Sequence, residues 1–140
     1  MKYSAVIDTN VILSGIWSRN RLSPPVVILN ELVGGRIVPL YCEEIFQEYD
    51  DVLHREKFHL PQSDIQTVFR AIQKYGVIVK PVMTNEVFPD PDDRVFYEVA
   101  WARQDIYAYL VTGNLRHYPA KDFVISPAKM VEKFGENGME

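Results

Sequence analysis

Four positions in this 140-residue chain carry oxygen donors where chemistry needs them. Asp8 ends the run Tyr3-Ser4-Ala5-Val6-Ile7 and is followed by Thr9 and Asn10. Glu48 lies in an acidic stretch in which Glu44, Glu48 and Asp51 recur at i, i+4 and i+7, one face of a helix. Asp93 closes Pro89-Asp90-Pro91-Asp92-Asp93, and Asn114 closes Leu110-Val111-Thr112-Gly113-Asn114. Carboxylates from separate segments suit Mg²⁺ or Mn²⁺, hard ions that prefer oxygen ligands and keep several waters. Such an ion lowers the pKa of a water and stabilises charge building on a phosphoryl group. That chemistry asks for no protein nucleophile, which fits a chain with one cysteine, Cys42, and no Ser/His/Asp arrangement.

Each position also has a plainer reading. Asp8 suits the N-cap of a helix begun by Val11-Ile12-Leu13, although Thr9 or Asn10 can cap while Asp8 holds a metal. The Glu44, Glu48, Asp51 face reads equally as a solvated surface. Glu48 differs in sitting between Ile45 and Val52, at the edge of an apolar stripe where a carboxylate needs a partner. Asp90, Asp92 and Asp93 suit capping and the helix dipole, but capping uses one of them. Asp93 precedes the core-like Phe96, Val99 and Ala100, which places it at the inner edge of a first turn. Thr112-Gly113-Asn114 also fits an ordinary turn with Asn in a left-handed conformation. In the functional reading Thr112 and Asn114 add oxygens to the same sheet edge.

The elements that must position these groups alternate. Strands are expected at Tyr3–Ile7, Ile37–Tyr41, Val77–Val79, Tyr109–Thr112 and Phe123–Ile125. Helices are expected at Pro25–Gly34, Glu43–Leu53, Ser63–Lys74, Asp92–Arg103 and Ser126–Phe134. Alternation implies parallel pairing and an α/β fold, a three-layer α/β/α sandwich around a central parallel sheet. Ligands in such sheets bind outside the carboxyl ends of the strands, where Asp8 and Thr112 fall.

Composition narrows the class. With 47% hydrophobic and 24% charged residues, 140 residues are expected to form one domain, 1–140, with a substantial core. No apolar run nears the roughly 20 residues needed to span a bilayer, and no secretory signal is evident, so the cytoplasm is the expected compartment. A net charge of −4 argues against a module that binds nucleic acid through charge alone. It does not argue against a nuclease, because bound cations reverse the field of a carboxylate cluster.

Taken in order, four stretches resemble the PIN-domain family, specifically its toxin-like (VapC-like) branch from prokaryotic toxin–antitoxin systems. They are Val6–Val11, Glu44–Leu53 leading to Lys57-Phe58, Asp90–Phe96 and Leu110–Leu115; Phe123–Pro127 is similar to the family's closing strand and helix. The resemblance implies a metal-dependent endoribonuclease, with Mg²⁺ or Mn²⁺ as cofactor and RNA as substrate. Asp8, Glu48 and Asp93 match the family's acids, with Asp90 or Asp92 assisting and Thr9 and Asn10 as the polar residues beside the first acid. It further implies a homodimer or higher homo-oligomer and an antitoxin protein that blocks the enzyme. The chain departs from the pattern at Asn114, where many members carry Asp. An uncharged oxygen there weakens a second metal more than the first, so one firmly held ion is expected.

Other residues carry weaker expectations. Arg19 and Arg21, in the loop before Ser23-Pro24-Pro25, and Arg116 and His117 after Asn114 are candidate substrate contacts, and the first of these loops reads equally as solvated surface. Trp17, Phe46 and Trp101 are expected in the core or at an interface rather than as base-stacking platforms. Three other classes compete. A phosphatase of the haloacid dehalogenase type needs an Asp where Asn10 stands. A nucleotide-binding doubly wound domain needs a Gly-rich loop after the first strand, and none follows. A degenerate PIN fold that binds RNA or a partner without cleaving fits Asn114 and the acidic charge.

Overall fold

The computed structural model describes residues 2–136. Its five strands are β1 (Tyr3–Ile7), β2 (Ile37–Tyr41), β3 (Val77–Ile78), β4 (Tyr109–Val111) and β5 (Val124–Ile125). They pair in parallel in the order β3-β2-β1-β4-β5. The six helices are α1 (Thr9–Trp17), α2 (Pro24–Val33), α3 (Glu43–Leu53), α4 (Gln62–Tyr75), α5 (Arg94–Ala102) and α6 (Pro127–Glu136). The expected three-layer α/β/α sandwich is what forms.

Burial explains why β1 is central. Ala5, Val6 and Ile7 are fully enclosed, as a strand covered by helices on both faces must be. Edge strand β3 has both residues exposed, Ile78 most of all. Helix α5 lies across β1, β2 and β4 and buries Phe96, Val99 and Ala100, the residues read from the sequence, together with Val95, Tyr97 and Glu98. Helix α2 packs against α1, α4 and α6, burying Ile28, Leu29 and Leu32. Helix α3 touches both α1 and α5, which brings its Glu48 face toward the end of the sheet.

Chain order makes the sheet's most useful feature. From β1 the chain builds outward through β2 and β3 on one side, then crosses to β4 and β5 on the other. The strand order therefore reverses between β1 and β4. At that switch point the following segments turn to opposite sides and open a crevice at the carboxyl ends. Asp8 and Thr112 are the first residues beyond those two strands, and the Asp8 N–H donates to the Val111 carbonyl at 2.9 Å.

Several boundaries differ from expectation. The segment Thr9–Trp17 is a helix in its own right, whereas the sequence pointed to it only through the capping alternative at Asp8. Its first turn holds no acidic residue, and Gly15 and Ser14 interrupt its apolar residues, so local punctuation is weak. Gly15 is needed there, because a Cβ would come within 2.8 Å of the Pro25 carbonyl oxygen on α2, backbone that cannot turn aside. Helix α5 starts at Arg94 rather than Asp92, since Pro91–Asp93 forms a tighter 3₁₀ turn capped by the Asp90 side chain, which accepts from the Asp92 N–H at 2.9 Å. Trp17, expected in the core or at an interface, is 67% exposed in this chain. Phe46 is partly buried beside Phe69, with ring centroids 4.8 Å apart, and Trp101 stacks on Tyr97 while keeping one side open. Among the described residues no helix is long and apolar enough to cross a membrane.

Candidate metal centre at the switch point

Asp8 is built into the crevice floor. It is 6% exposed and occupies the N-cap position of α1, yet its side chain makes no capping bond. Its Oδ2 instead accepts from Thr112 Oγ1 at 2.7 Å and from the Tyr118 hydroxyl at 3.3 Å. Thr112 is fully buried after β4, and its Oγ1 also accepts the Asn114 N–H at 3.0 Å. One residue back, the Ile7 carbonyl accepts from the buried Tyr49 hydroxyl at 2.5 Å, which ties α3 to the end of β1. Capping of α1 by Thr9 is not what occurs: the Thr9 hydroxyl donates to Glu48 Oε2, joining the start of α1 to α3.

Asp93 completes the group. It is half-buried at the junction of the 3₁₀ turn with α5, and its Oδ2 meets His117 Nδ1 at 3.1 Å. The charge of Asp8 reaches the other two carboxylates. Burial pushes the proton affinity of Asp8 up, against the hydrogen bonds from Thr112, the Thr9 N–H and Tyr118. Burial also raises Glu48, opposed by the Thr9 hydroxyl and reinforced by the charges of Asp8, Asp93 and Asp92. Asp93 is raised by burial and then by Asp8 and Asp90, with His117 pulling the other way. Partly desolvated carboxylates, two of them raised further by the charge of Asp8, form a site of concentrated negative potential.

The donor chemistry fits a hard divalent cation. It is all oxygen, it is anionic, and several of its members carry an energetic cost that a cation would relieve. Among the described residues no three Asp, Glu, His or Cys side chains already close around one point. That is compatible with Mg²⁺ in particular, which is held by one or two carboxylates and retains waters.

Other expected residues fall outside this group. Asn10 and Asn114 are exposed, and neither side chain bonds to the carboxylates. Asp90 caps the 3₁₀ turn, while Asp92 lines a cleft of about 710 Å³ with Glu43, Glu44, Glu48, Asp51 and Arg55. Glu48 is thus shared between the centre and an acidic groove along α3. Arg19 and Arg21 sit in the exposed turn between α1 and α2, and Arg116 in the exposed turn Leu115–His117. Sequence reasoning overlooked Tyr118 and Tyr49, and took His117 for an RNA contact rather than the partner of Asp93. A buried tyrosine needs a partner for its hydroxyl, but nothing local says that Tyr118 finds Asp8 110 positions away.

Comparison with known families agrees with this fold. The PIN domain model matches residues 4–116, which covers β1 through β4 and all three carboxylates. The chain belongs to the PIN-domain family. PIN domains are typically nucleases, and they usually employ divalent metals. No curated protein and no solved structure matches the chain.

Proposed function

We propose that this PIN-domain protein is a Mg²⁺- or Mn²⁺-dependent endoribonuclease with Asp8, Glu48 and Asp93 as its metal-holding carboxylates. The observation that carries the reading is their placement at the β1/β4 switch point, where the charge of Asp8 raises the proton affinity of both Glu48 and Asp93. A bound ion would supply an activated water and stabilise the phosphoryl charge. The chain's own part is to hold the carboxylates. Thr112 and Tyr118 restrain Asp8, Thr9 restrains Glu48, and His117 restrains Asp93. Asn114 follows on from Thr112 at the same edge and would offer a neutral oxygen at most, so one ion binds more firmly than any second. Arg116, beside His117, is the cation best placed to meet a phosphate; Arg19 and Arg21 would act farther along the strand.

A toxin role with an antitoxin partner extends the same reading. The acidic groove along α3 has the charge to receive a basic segment of such a partner, which would then cover Glu48. Homo-oligomer formation and a cytoplasmic setting belong to this proposal as well. A second reading, a PIN fold that binds RNA or a partner without cleaving it, is favoured by one observation: no closed ligand set exists among the described residues.

Incubation with a panel of labelled RNAs, with Mn²⁺, Mg²⁺ or EDTA, separates the two. Cleavage that needs metal and disappears in Asp8→Asn and Asp93→Asn supports the nuclease. Retained RNA binding with no cleavage at saturating Mn²⁺ supports the binding protein.

A further inference from the structure

We propose that Tyr118 is a positioning residue that, with Thr112, gathers the side-chain donors of Asp8 onto one carboxylate oxygen and keeps the other clear of side chains for the cation. The inference rests on the metal-dependent reading above. Tyr118 lies just past the span that the PIN domain model matches. It is 6% exposed, and its ring stands edge-on to Phe88 with centroids 6.3 Å apart. The 3₁₀ turn Leu115–His117 delivers it back into the protein, closed by the Tyr118 N–H on the Leu115 carbonyl at 3.2 Å.

The hydroxyls of Tyr118 and Thr112 reach Asp8 from two different segments and meet at the same atom, Oδ2. Two donors on one oxygen fix both the rotamer and the plane of the carboxylate. Oδ1 receives no side-chain donor among the described residues; the remaining donor to this carboxylate is the Thr9 backbone N–H. Both donors are neutral. An Arg or Lys in their place would hold Asp8 equally well but would cancel the charge that attracts a cation. The same device recurs in weaker form around the centre, because Thr9 occupies one oxygen of Glu48 and His117 one oxygen of Asp93. Tyr118 differs from these in coming from outside the strand-end motifs, so its contribution depends wholly on tertiary placement.

The test is calorimetric titration of Mn²⁺ into wild type, Tyr118→Phe and Asp8→Asn, with metal-free thermal denaturation of each. Tyr118→Phe keeps the ring and its packing and removes only the donor. The expected result is Mn²⁺ affinity reduced by about tenfold, the low end of losses seen when the group behind a ligand is removed. Asp8→Asn should abolish the measured binding. A purely structural role would lower the melting temperature of Tyr118→Phe and leave its Mn²⁺ affinity at the wild-type value, which overturns the proposal. Tyr118→Leu, with apolar bulk and no hydroxyl, should show the same loss of affinity and serves if Tyr118→Phe does not fold. If Asp8→Asn binds Mn²⁺ as wild type does, the metal reading itself fails and the role of Tyr118 falls with it. Loss in Asp8→Asn without loss in Tyr118→Phe refutes only the latter.

Discussion

Replacing Thr112 by Val tests how the site and the fold share one side chain. Thr112 is fully buried, and its hydroxyl both donates to Asp8 Oδ2 at 2.7 Å and accepts the Asn114 N–H at 3.0 Å. Valine has nearly the same shape, so packing changes little and the hydrogen bonds carry the effect. A bond to a charged group is worth about 1.5–3 kcal/mol and a neutral one about 0.5–1.5 kcal/mol, and a buried group left unpaired bears the larger cost. Thr112→Val should therefore destabilise the metal-free protein by about 2–4 kcal/mol at neutral pH. The Thr112 bond favours the ionised form of Asp8. Its contribution is full where Asp8 is ionised and shrinks as pH falls and Asp8 takes up a proton. Urea unfolding at neutral and at mildly acidic pH, read from the midpoint at constant slope, measures both quantities. A deficit of the same size at both pH values would refute the charge-assisted bond, and no deficit at either would refute the energetic role of Thr112 altogether.

Two further outcomes follow from the same carboxylates. Burial raises Asp8, Glu48 and Asp93 in the folded state, so the stability they lend is full below the ordinary carboxylate range and lost as pH rises through their folded values. Asp8→Asn keeps an acceptor for Thr112 and Tyr118 while removing a charge, and should make the metal-free protein more stable at neutral pH with a flatter pH dependence. Added Mn²⁺ should reverse that ranking, stabilising wild type by about 2.7 kcal/mol at a hundredfold excess over its dissociation constant and leaving the variant unmoved; thermal denaturation with and without metal reads both. Asn114→Asp, in the exposed turn beside Thr112, should tighten Mn²⁺ binding and increase cleavage, at some loss of metal-free stability. Unchanged Mn²⁺ affinity in a calorimetric titration would remove position 114 from the site.

Much of the architecture is legible in the chain because it is encoded locally. The spacing of Phe96, Val99 and Ala100 marks the core side of α5, although tertiary packing buries Tyr97 and Glu98 as well, and the β-branched runs mark β1 and β4. The helix over Thr9–Trp17 is less legible, because its caps make no side-chain hydrogen bond and its packing against α2 decides its form. Asp8 is conspicuous from sequence for the same local reason: an acid directly after an apolar strand must lie at the mouth of the sheet.

What the sequence by itself determined, then, was a parallel α/β chain with acids at strand ends and helix edges. The tertiary structure alone decided which acids meet and what restrains them. Thr9 reaches Glu48 across 39 positions, His117 reaches Asp93 across 24, and Tyr118 reaches Asp8 across 110. Asn114, which a linear motif would place among the ligands, lies in an exposed turn without a side-chain contact to them. Side-chain periodicity reports which face of an element is buried, but it holds no information about the distance between two faces. That distance is set by the order of strands in the sheet, and here the reversal between β1 and β4 draws distant residues into one crevice.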